Sequence, residues 1–244
     1  MTEKIQIFLN SKSASKYIGD NTSNCIFFLP AINIPKHRKV FASVQTSMVP
    51  YSFYNVSSIN NTLKYTINGG AVQTFTFSNG NYNVNTMITE ITDTLTDFTI
   101  TYDSKTNYLT FTHSTYDFTF ESDSTCFEIL GFKDNVTVES TSQILQSTIS
   151  LNLFTIRNVY VTSDNFQINN INNSTPNKSN ILCSIPVDSS HHSMISYSNI
   201  YDVRNMIHHV HNLTHLHIKL TDQDDDILDL NGCHWSLTLE IDIE

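Results

Sequence analysis

The sequence predicts an all-β protein, built as a sandwich or barrel of short strands. Phe, Tyr, Ile, Val and Thr are frequent, and these side chains favour strands over helices. Several segments alternate apolar and polar residues with the period of two that a half-buried strand shows. Such strands, separated by long polar loops, are typical of sandwiches and barrels. With 244 residues, the chain is long enough to bury a sizeable core without disulfide bonds.

The charge of the chain limits its partners. Its formal net charge is −10 at pH 7. Because binding to phosphates depends on Lys and Arg, we expect no direct nucleic-acid role for this protein. The basic run KHRK (36–39) is too short to reverse that expectation.

The cysteines and the N-terminus indicate a soluble protein made in a reducing compartment. Cys25, Cys126, Cys183 and Cys233 are widely spaced and form no CxxC pair, which favours buried free thiols over disulfides. The first residues lack the apolar core of a signal peptide. No apolar run approaches the roughly 18 residues that a membrane-spanning helix needs, so we expect no transmembrane segment.

Taken in order, the elements begin with residues 1–24, which we interpret as an N-terminal arm: a short apolar piece, IQIF, precedes a polar stretch. The segment VFASVQTSMVP (40–50) alternates as a half-buried strand does. Later strands are predicted over 116–122, 153–163, 180–187, 194–198, about 204–210, 213–221 and 235–243. We therefore assign 25–61 and 114–244 to the sandwich.

Residues 62–113 form a self-contained pattern that predicts an inserted β-β-α-β-β module. TLKYTI and VQTFTF flank an Asn-Gly-Gly turn (68–70), and Asn-Gly supplies the positive φ angles that a tight hairpin needs. A helix follows, with Asn83 as its N-cap. Its apolar residues recur at helical spacing: Val84, Met87, Ile88, Ile91 and Leu95. A second hairpin, FTITYD and NYLTFTH, completes the module.

The stretch HHVHNLTHLHIKLTDQDDD (208–226) holds five histidines and four aspartates and is the first place to look for a metal site. Strand alternation over 212–222 sorts its side chains onto two faces: Leu216, Ile218 and Leu220 on one, His215, His217 and Lys219 on the other. A lysine on the histidine face repels a cation. This face is therefore predicted to be a polar surface or a subunit contact.

His208, His209 and His211 precede that strand. A pair such as His209 and His211 could bind a transition metal, but the spacing specifies no third ligand. We therefore predict no metal site here.

The acidic run resembles the start of a calcium loop, with Asp222, Asp224 and Asp226 at alternate positions. Ile227 stands where that loop needs glycine, and Cys233 stands where it needs a bidentate glutamate. We interpret the run as a turn between the last two strands, since Asp tolerates turn geometry.

No pattern in the chain predicts catalysis or a bound cofactor. A phosphate loop, GxSxG, HExxH and CxxC are all missing from the sequence. Cys126 and Cys183 lie in apolar runs, which favours inert thiols over nucleophiles. Trp235 begins the last strand and is predicted to anchor the core. We expect a protein that is not an enzyme.

Two stretches resemble the penton-type minor capsid proteins of virophages and polinton-like viruses. The first is IFFLPAINIPKHRKVFASVQTSMVPYSFYNV (26–56), followed by INGG and GNYNVNTMITEI; the second is HIKLTDQDDDILDLNGCHWSLTLEIDI (217–243). Within these, VPYSFYN followed by GNYN is the more specific pair. The resemblance runs from about residue 25 to the end. In the family the acidic turn commonly carries glycine near Asp226, and this chain departs from that.

The resemblance implies a single jelly roll, five copies of which close an icosahedral vertex of a double-stranded DNA virus. It implies a homopentamer that contacts the major capsid protein, and a virion location after assembly in the host cell cytoplasm. A vertex fibre or a host receptor are further partners that it allows. The strands predicted above number eight when 40–49 is included, as in a jelly roll. The arm is expected to grip the shell and to be dispensable for folding.

Two other functions remain open from the residues alone. A lectin-like or receptor-attachment module could use the same sandwich, since fold does not decide function. A metal-dependent enzyme would be built on His208, His209 and His211 with Asp222. Glycan binding by a monomer would favour the first, and stoichiometric metal in the purified protein would favour the second.

Overall fold

The computed structural model describes residues 3–168, 170–171, 178–208 and 212–244. Within these ranges strands far outnumber helices, as the composition predicts. It folds into two compact units. The first is made of residues 1–53 and 156–244, and the second of residues 54–155.

Strands and helices are numbered in chain order. The first part of unit 1 contains β1 (Glu3–Asn10), a 3₁₀ turn (Ser11–Ser13), β2 (Lys16–Ile18), β3 (Asn21–Asn33) and β4 (Val40–Pro50). Unit 2 contains β5 (Thr62–Ile67), β6 (Gln73–Thr76), α1 (Val84–Thr94), β7 (Phe98–Asp103), β8 (Tyr108–His113), β9 (Phe118–Phe120), α2 (Phe127–Leu130), β10 (Val138–Glu139) and β11 (Ile144–Gln146). Unit 1 resumes with β12 (Asn158–Ser163), β13 (Gln167–Ile168), β14 (Asn170–Ile171), β15 (Lys178–Ser179), β16 (Ile181–Pro186), β17 (Met194–Ser198), β18 (Asn205–His208), β19 (Asn212–Thr221) and β20 (Ser236–Ile243).

Unit 1 is a jelly roll. One sheet has the order β1-β20-β4, and β17 and β18 follow one another along the far edge of β4. The other sheet has the order β16-β12-β19-β3-β2. If β17 and β18 count as one strand and the short β2, β13, β14 and β15 are set aside, eight long strands remain. If these eight strands are numbered 1 to 8 along the chain, one sheet has the order 1-8-3-6 and the other has the order 2-7-4-5. This is the two-sheet arrangement of a jelly roll.

The core of unit 1 lies between the two sheets. Alternate residues of β20 (Leu237, Leu239, Ile241 and Ile243) are buried, and so are Leu216, Ile218 and Leu220 of β19. The predicted alternation of the last two strands is therefore confirmed. Strands of both sheets contribute to one apolar cluster, so neither sheet is stable without the other.

Trp235 anchors this core, as predicted. Its side chain is buried beside Phe27, with the ring centroids 5.9 Å apart in an edge-to-face arrangement. Its indole N–H donates to the carbonyl oxygen of Thr22 at 2.7 Å, and its main-chain N–H donates to Ser11 Oγ at 3.0 Å. Buried indole groups need such partners, and here both come from the first 24 residues.

The interpretation of residues 1–24 as an arm is corrected by the structure. β1 pairs with β20 along its whole length, from Glu3 opposite Ile243 to Asn10 opposite Ser236. Leu9 is buried, and Ile5 and Ile7 pack against the same core. The segment is the first strand of the jelly roll, because its apolar residues alternate and can be buried only against the sandwich.

The predicted strand list also needs correction. The stretch 116–122 forms β9 in unit 2, while 194–198 and the described part of 204–210 share one position beside β4. The two jelly-roll strands that the predicted list does not contain are β1 and β3. Residues 209 and 210 lie outside the described part of the chain.

Unit 2 has its own aromatic core and is larger than the predicted module of 62–113. Its sheets have the orders β10-β9-β5-β6 and β11-β8-β7. Residues beyond 113 belong to it because β9 pairs with β5 and β11 with β8. The core is rich in phenylalanine: Phe75, Phe77, Phe98, Phe111, Phe118, Phe120, Phe127 and Phe132.

The helix of unit 2 begins where the sequence predicts. The Asn83 side chain accepts the main-chain N–H of Thr86 at 3.0 Å, and Thr86 Oγ1 accepts the N–H of Asn83 at 3.0 Å. This reciprocal capping box satisfies two N–H groups that the first turn leaves free. Met87 and Ile91 face the core. In the described ranges, the helices are all too short or too polar to span a membrane.

Candidate functional site

The histidines of β19 lie on the outer face of the second sheet, opposite the buried leucines and isoleucine, as predicted. The His217 ring touches two acceptors: Nδ1 lies 2.9 Å from Asp164 Oδ2 and Nε2 lies 2.6 Å from Asn24 Oδ1. Lys219 Nζ lies 2.6 Å from Asp164 Oδ2. One carboxylate therefore joins a lysine and a histidine of β19 to the loop after β12.

Partial burial lowers the pKa of His217, and the charge of Lys219 adds to this, while the Asp164 carboxylate opposes it. Burial is the largest of these effects, and the role of the ring here is hydrogen bonding. His215 is exposed beside it.

A metal site is not assembled by the described residues. His208 ends β18, and His209 and His211 lie outside the described ranges. In those ranges, no three His, Cys, Asp or Glu side chains are grouped closely enough to hold an ion. Both ring nitrogens of His217 already contact Asp164 and Asn24, as described above.

The acidic run forms the predicted turn. Asp222 is buried, and its Oδ1 accepts the main-chain N–H of Asp224 at 2.9 Å and of Asp226 at 3.0 Å. Asp225 has a φ of 71°, which Asp tolerates in such turns. Burial raises the pKa of Asp222, and its acidic neighbours raise it further, against the effect of the two N–H donors. The carboxylate thus closes a turn.

The four cysteines are free thiols. Cys25 and Cys126 are buried, as expected, whereas Cys183 is half-buried and Cys233 is exposed. Burial raises the pKa of Cys183 to about 12 and raises that of Cys126 as well. Neither forms a thiolate at neutral pH, which a cysteine nucleophile needs. Cys233 differs from the expectation because it follows the exposed Asn231-Gly232 bend.

The outer face of the first sheet, which we call face A, has an uncharged half. Phe8 is 76% exposed there. The residues beside it are uncharged: Thr238, Thr46 and Ser198 in its own row, and Asn10, Ser236, Met48 and Ser196 in the next. Such a row of an exposed aromatic and uncharged side chains matches the composition of interface centres.

The other half of face A is ionic. Glu240 and Asp242 point outward from β20 yet are buried. Lys4 Nζ lies 2.9 Å from Glu240 Oε1, and an Arg204 N–H donates to Asp242 Oδ2 at 2.8 Å. Arg204 also lies over the Phe41 ring, 5.0 Å from its centroid. The two cations lower the pKa of Glu240, with the Lys4 hydrogen bond first. This network ties β1 and the segment before β18 to β20.

The outer face of β2, β3 and β19, which we call face B, also carries one prominent aromatic residue. Phe28 is 72% exposed and lies directly opposite His215. Two residues along, Lys16, Ile26 and His217 form the next row. Sequence reasoning missed both phenylalanines as surface features, although alternation within IQIFL and CIFFL already places one Phe of each segment outside.

The comparisons with known proteins found similarity among solved structures. No protein-family model matches the chain, and no curated protein matches it. The chain is similar to the mavirus penton protein, known from a crystal structure of the selenomethionine-labelled protein. The TM-score is 0.55 at 12% identity, over 99% of this chain and 100% of the other. A structure of the Sputnik virophage gives a TM-score of 0.47 at 13% identity, over 98% and 97% of the two chains.

The predicted all-β jelly roll is therefore confirmed. The fold is similar to that of the mavirus penton protein, and the match covers 99% of this chain. The sequence resemblance to penton-type proteins is supported at the level of the fold.

Proposed function

We propose that this chain is a structural minor capsid protein, a penton, that occupies the five-fold vertices of an icosahedral double-stranded DNA virus. The observation that carries the proposal is the similarity of fold to the mavirus penton protein, at 99% coverage of this chain and 100% of the other. The high coverage of both chains supports the proposal more strongly than a match to a few strands would. The virion is then the site of action, after assembly in the host cell.

The proposal includes a homopentamer and a contact with the major capsid protein. A five-fold ring needs one patch of each subunit against a different patch of its neighbour. The sandwich supports this because its two outer faces differ in composition. The arrangement of the described residues supports no catalytic role: His217 and Asp222 hydrogen-bond within the fold, and burial keeps Cys126 and Cys183 protonated.

A receptor-attachment role is the second candidate. The observation that favours it is the separate aromatic core of unit 2, which gives residues 54–155 a compact body of their own. Such a unit can carry a binding surface without disturbing the sandwich. Attachment and vertex roles are compatible within one virion.

The mass of the purified full-length chain tests the proposal. Native mass spectrometry of a pentamer would give about 139 kDa, five times the 27.8 kDa of the chain. Cryo-electron microscopy of the same sample should show a five-fold ring, and a tagged chain should label only the vertices of particles. A chain that stays monomeric up to about 100 µM and is absent from particles would refute the capsid role. Glycan-array binding by such a monomer would favour the attachment role instead.

A further inference from the structure

Each outer face of the sandwich carries one phenylalanine that the fold leaves in water. Phe8 is 76% exposed on face A, and Phe28 is 72% exposed on face B. Outward positions of a sandwich are normally polar, and most neighbours of the two residues are Thr, Ser, Asn and His, in keeping with that rule; Met48 and Ile26 are apolar. Neither phenylalanine packs against the core of its own subunit. Two such side chains, one on each side of the molecule, indicate two contact surfaces.

The charges beside the two phenylalanines have opposite signs. Two and four residues from Phe8 along the sheet, face A carries Glu240 and Asp242, and Glu244 joins them through Arg204. Asp202 also lies 3.9 Å from Arg204. Among the described ion pairs, these four acids outnumber the two cations that contact them, Lys4 and Arg204.

Face B carries the complementary pattern. His215 is the partner of Phe28, and His217 and Lys219 lie two and four residues further along β19. Lys16 lies in the row of His217. In the described part of the chain, the acid that contacts this set is Asp164, through His217 and Lys219. The set therefore holds two lysines and one acid. Because two residues advance a strand by about 6.8 Å, aromatic and charged groups are spaced alike on both faces.

We propose that face A of one copy binds face B of the next copy, with Phe8 and Phe28 buried in the same contact. The proposal rests on the proposed function, for which it supplies the head-to-tail contact of a ring. The occupant of each face is a second copy of this chain. Since the chain carries −10, copies repel one another unless the surfaces that meet carry opposite charge, and these two do.

The test uses the full-length chain with one phenylalanine changed at a time. Phe8→Ser and Phe28→Ser should each weaken self-association at least about 30-fold, as expected for an aromatic side chain at the centre of an interface. Phe154→Ser is the matched control, because Phe154 is 77% exposed in unit 2 and lies on neither face. It should leave self-association unchanged. Far-ultraviolet circular dichroism confirms that each variant is folded.

A mixture of the two variants shows whether the contact is heterologous. Phe8→Ser damages face A and leaves face B intact, and Phe28→Ser does the reverse. Each variant alone should be monomeric at concentrations where the wild type forms a ring. Mixed in equal amounts, they retain one intact pair of faces and should form a 1:1 dimer that grows no further.

Four results would contradict the inference. A wild-type pentamer that both variants also form would reject these faces while leaving the capsid role standing. Loss of association in the Phe154→Ser control to the same degree would remove the specificity of the two faces. Variants that remain monomeric when mixed would contradict the face-to-face pairing, and a wild type without any self-association would contradict both the inference and the pentamer.

Discussion

Gly131→Ala adds only one methyl group, yet we expect it to lower the stability of the fold strongly. Gly131 follows α2 with a φ of +83°, a conformation that side chains rarely adopt. A Cβ built there would lie 2.4 Å from the carbonyl oxygen of Ile149 and 3.0 Å from the Cβ of Ser147. The Gly131 carbonyl oxygen also accepts the N–H groups of Thr148 and Ile149 at 3.0 and 2.9 Å. Any displacement of this residue therefore disturbs its hydrogen bonds to Thr148 and Ile149.

Gly69 provides the matched control in the same unit. Its φ is +67°, but nothing lies within 4 Å of the position of its Cβ. Gly69→Ala therefore measures the backbone conformation alone, which costs about 1–2 kcal/mol. Gly131→Ala adds a clash with main-chain atoms, and overpacking of this kind costs about 1–3 kcal/mol more. We expect a total loss of about 2–5 kcal/mol for Gly131→Ala.

Native-state hydrogen exchange gives the assay, because it reports the opening free energy of individual amides. The amides of Thr148 and Ile149 should exchange faster in Gly131→Ala than in Gly69→Ala, while the amides of β20 in unit 1 should not change. If the two variants lost the same opening free energy to within about 1 kcal/mol, steric contact at Gly131 would not be the reason for glycine there.

Four further outcomes are expected. Asp222→Ala should lower the unfolding free energy by about 1–2 kcal/mol because two N–H groups lose their acceptor. Asp222→Asn keeps the acceptor and should match or exceed wild type at pH 7 in urea titrations. Because the folded pKa of Asp222 is raised, the wild type loses stability as pH rises above 3.8, and the asparagine variant does not. The lowered pKa of His217 has the opposite consequence: the unfolded chain binds the proton more readily, so stability should fall as pH drops below 6.5, and less steeply in His217→Gln. A thiol reagent should modify Cys233 quickly and Cys25 or Cys126 only after unfolding, as stoichiometry against time will show. Deletion of residues 1–10 should abolish cooperative unfolding in circular dichroism, since β1 is a jelly-roll strand. A truncated chain that stays soluble and folded would show that this segment is an arm that the fold does not need.

Local signals in the sequence predicted the elements whose partners are near in the chain. The capping box at Asn83 and Thr86, the hairpin at 68–70 and the turn at Asp222 all depend on residues within a few positions. Alternation also placed His215 and His217 outside β19 correctly. These features follow from the chemistry of neighbouring residues, so a single sequence contains what is needed to find them.

The first strand could not be placed by the same means. Its partner, β20, lies more than 220 residues away in the sequence, and no local pattern specifies a pairing of that length. IQIFL alternates, but a short alternating piece followed by polar residues is equally typical of a detached arm. Among the polar residues after it, Ser11 is buried, and its Oγ accepts the N–H of the distant Trp235. The pairing with the distant β20 therefore makes this segment a strand of the sandwich, which its composition alone could not indicate.

The surfaces of the sandwich were beyond prediction for a related reason. Alternation places Phe8 and Phe28 outside, yet an exposed phenylalanine becomes informative only when its neighbours are known. Those neighbours, Thr238 for Phe8 and His215 for Phe28, come from other strands through the register. The same holds for Glu240 and Asp242, whose burial depends on Lys4 and Arg204 lying across them.

The position of β1 changes how a ring of these subunits would have to be built. A flexible arm can tolerate many subunit angles, whereas a closed five-fold ring requires one. Since residues 3–10 are hydrogen-bonded into the sheet along their whole length, they contribute to a rigid face. Lys4 and Phe8 are on that face, one in the ionic half and one in the uncharged half. The angle between two subunits in contact through face A would therefore be set by the sheet itself. A loss of β1 would remove both the contact and the fold.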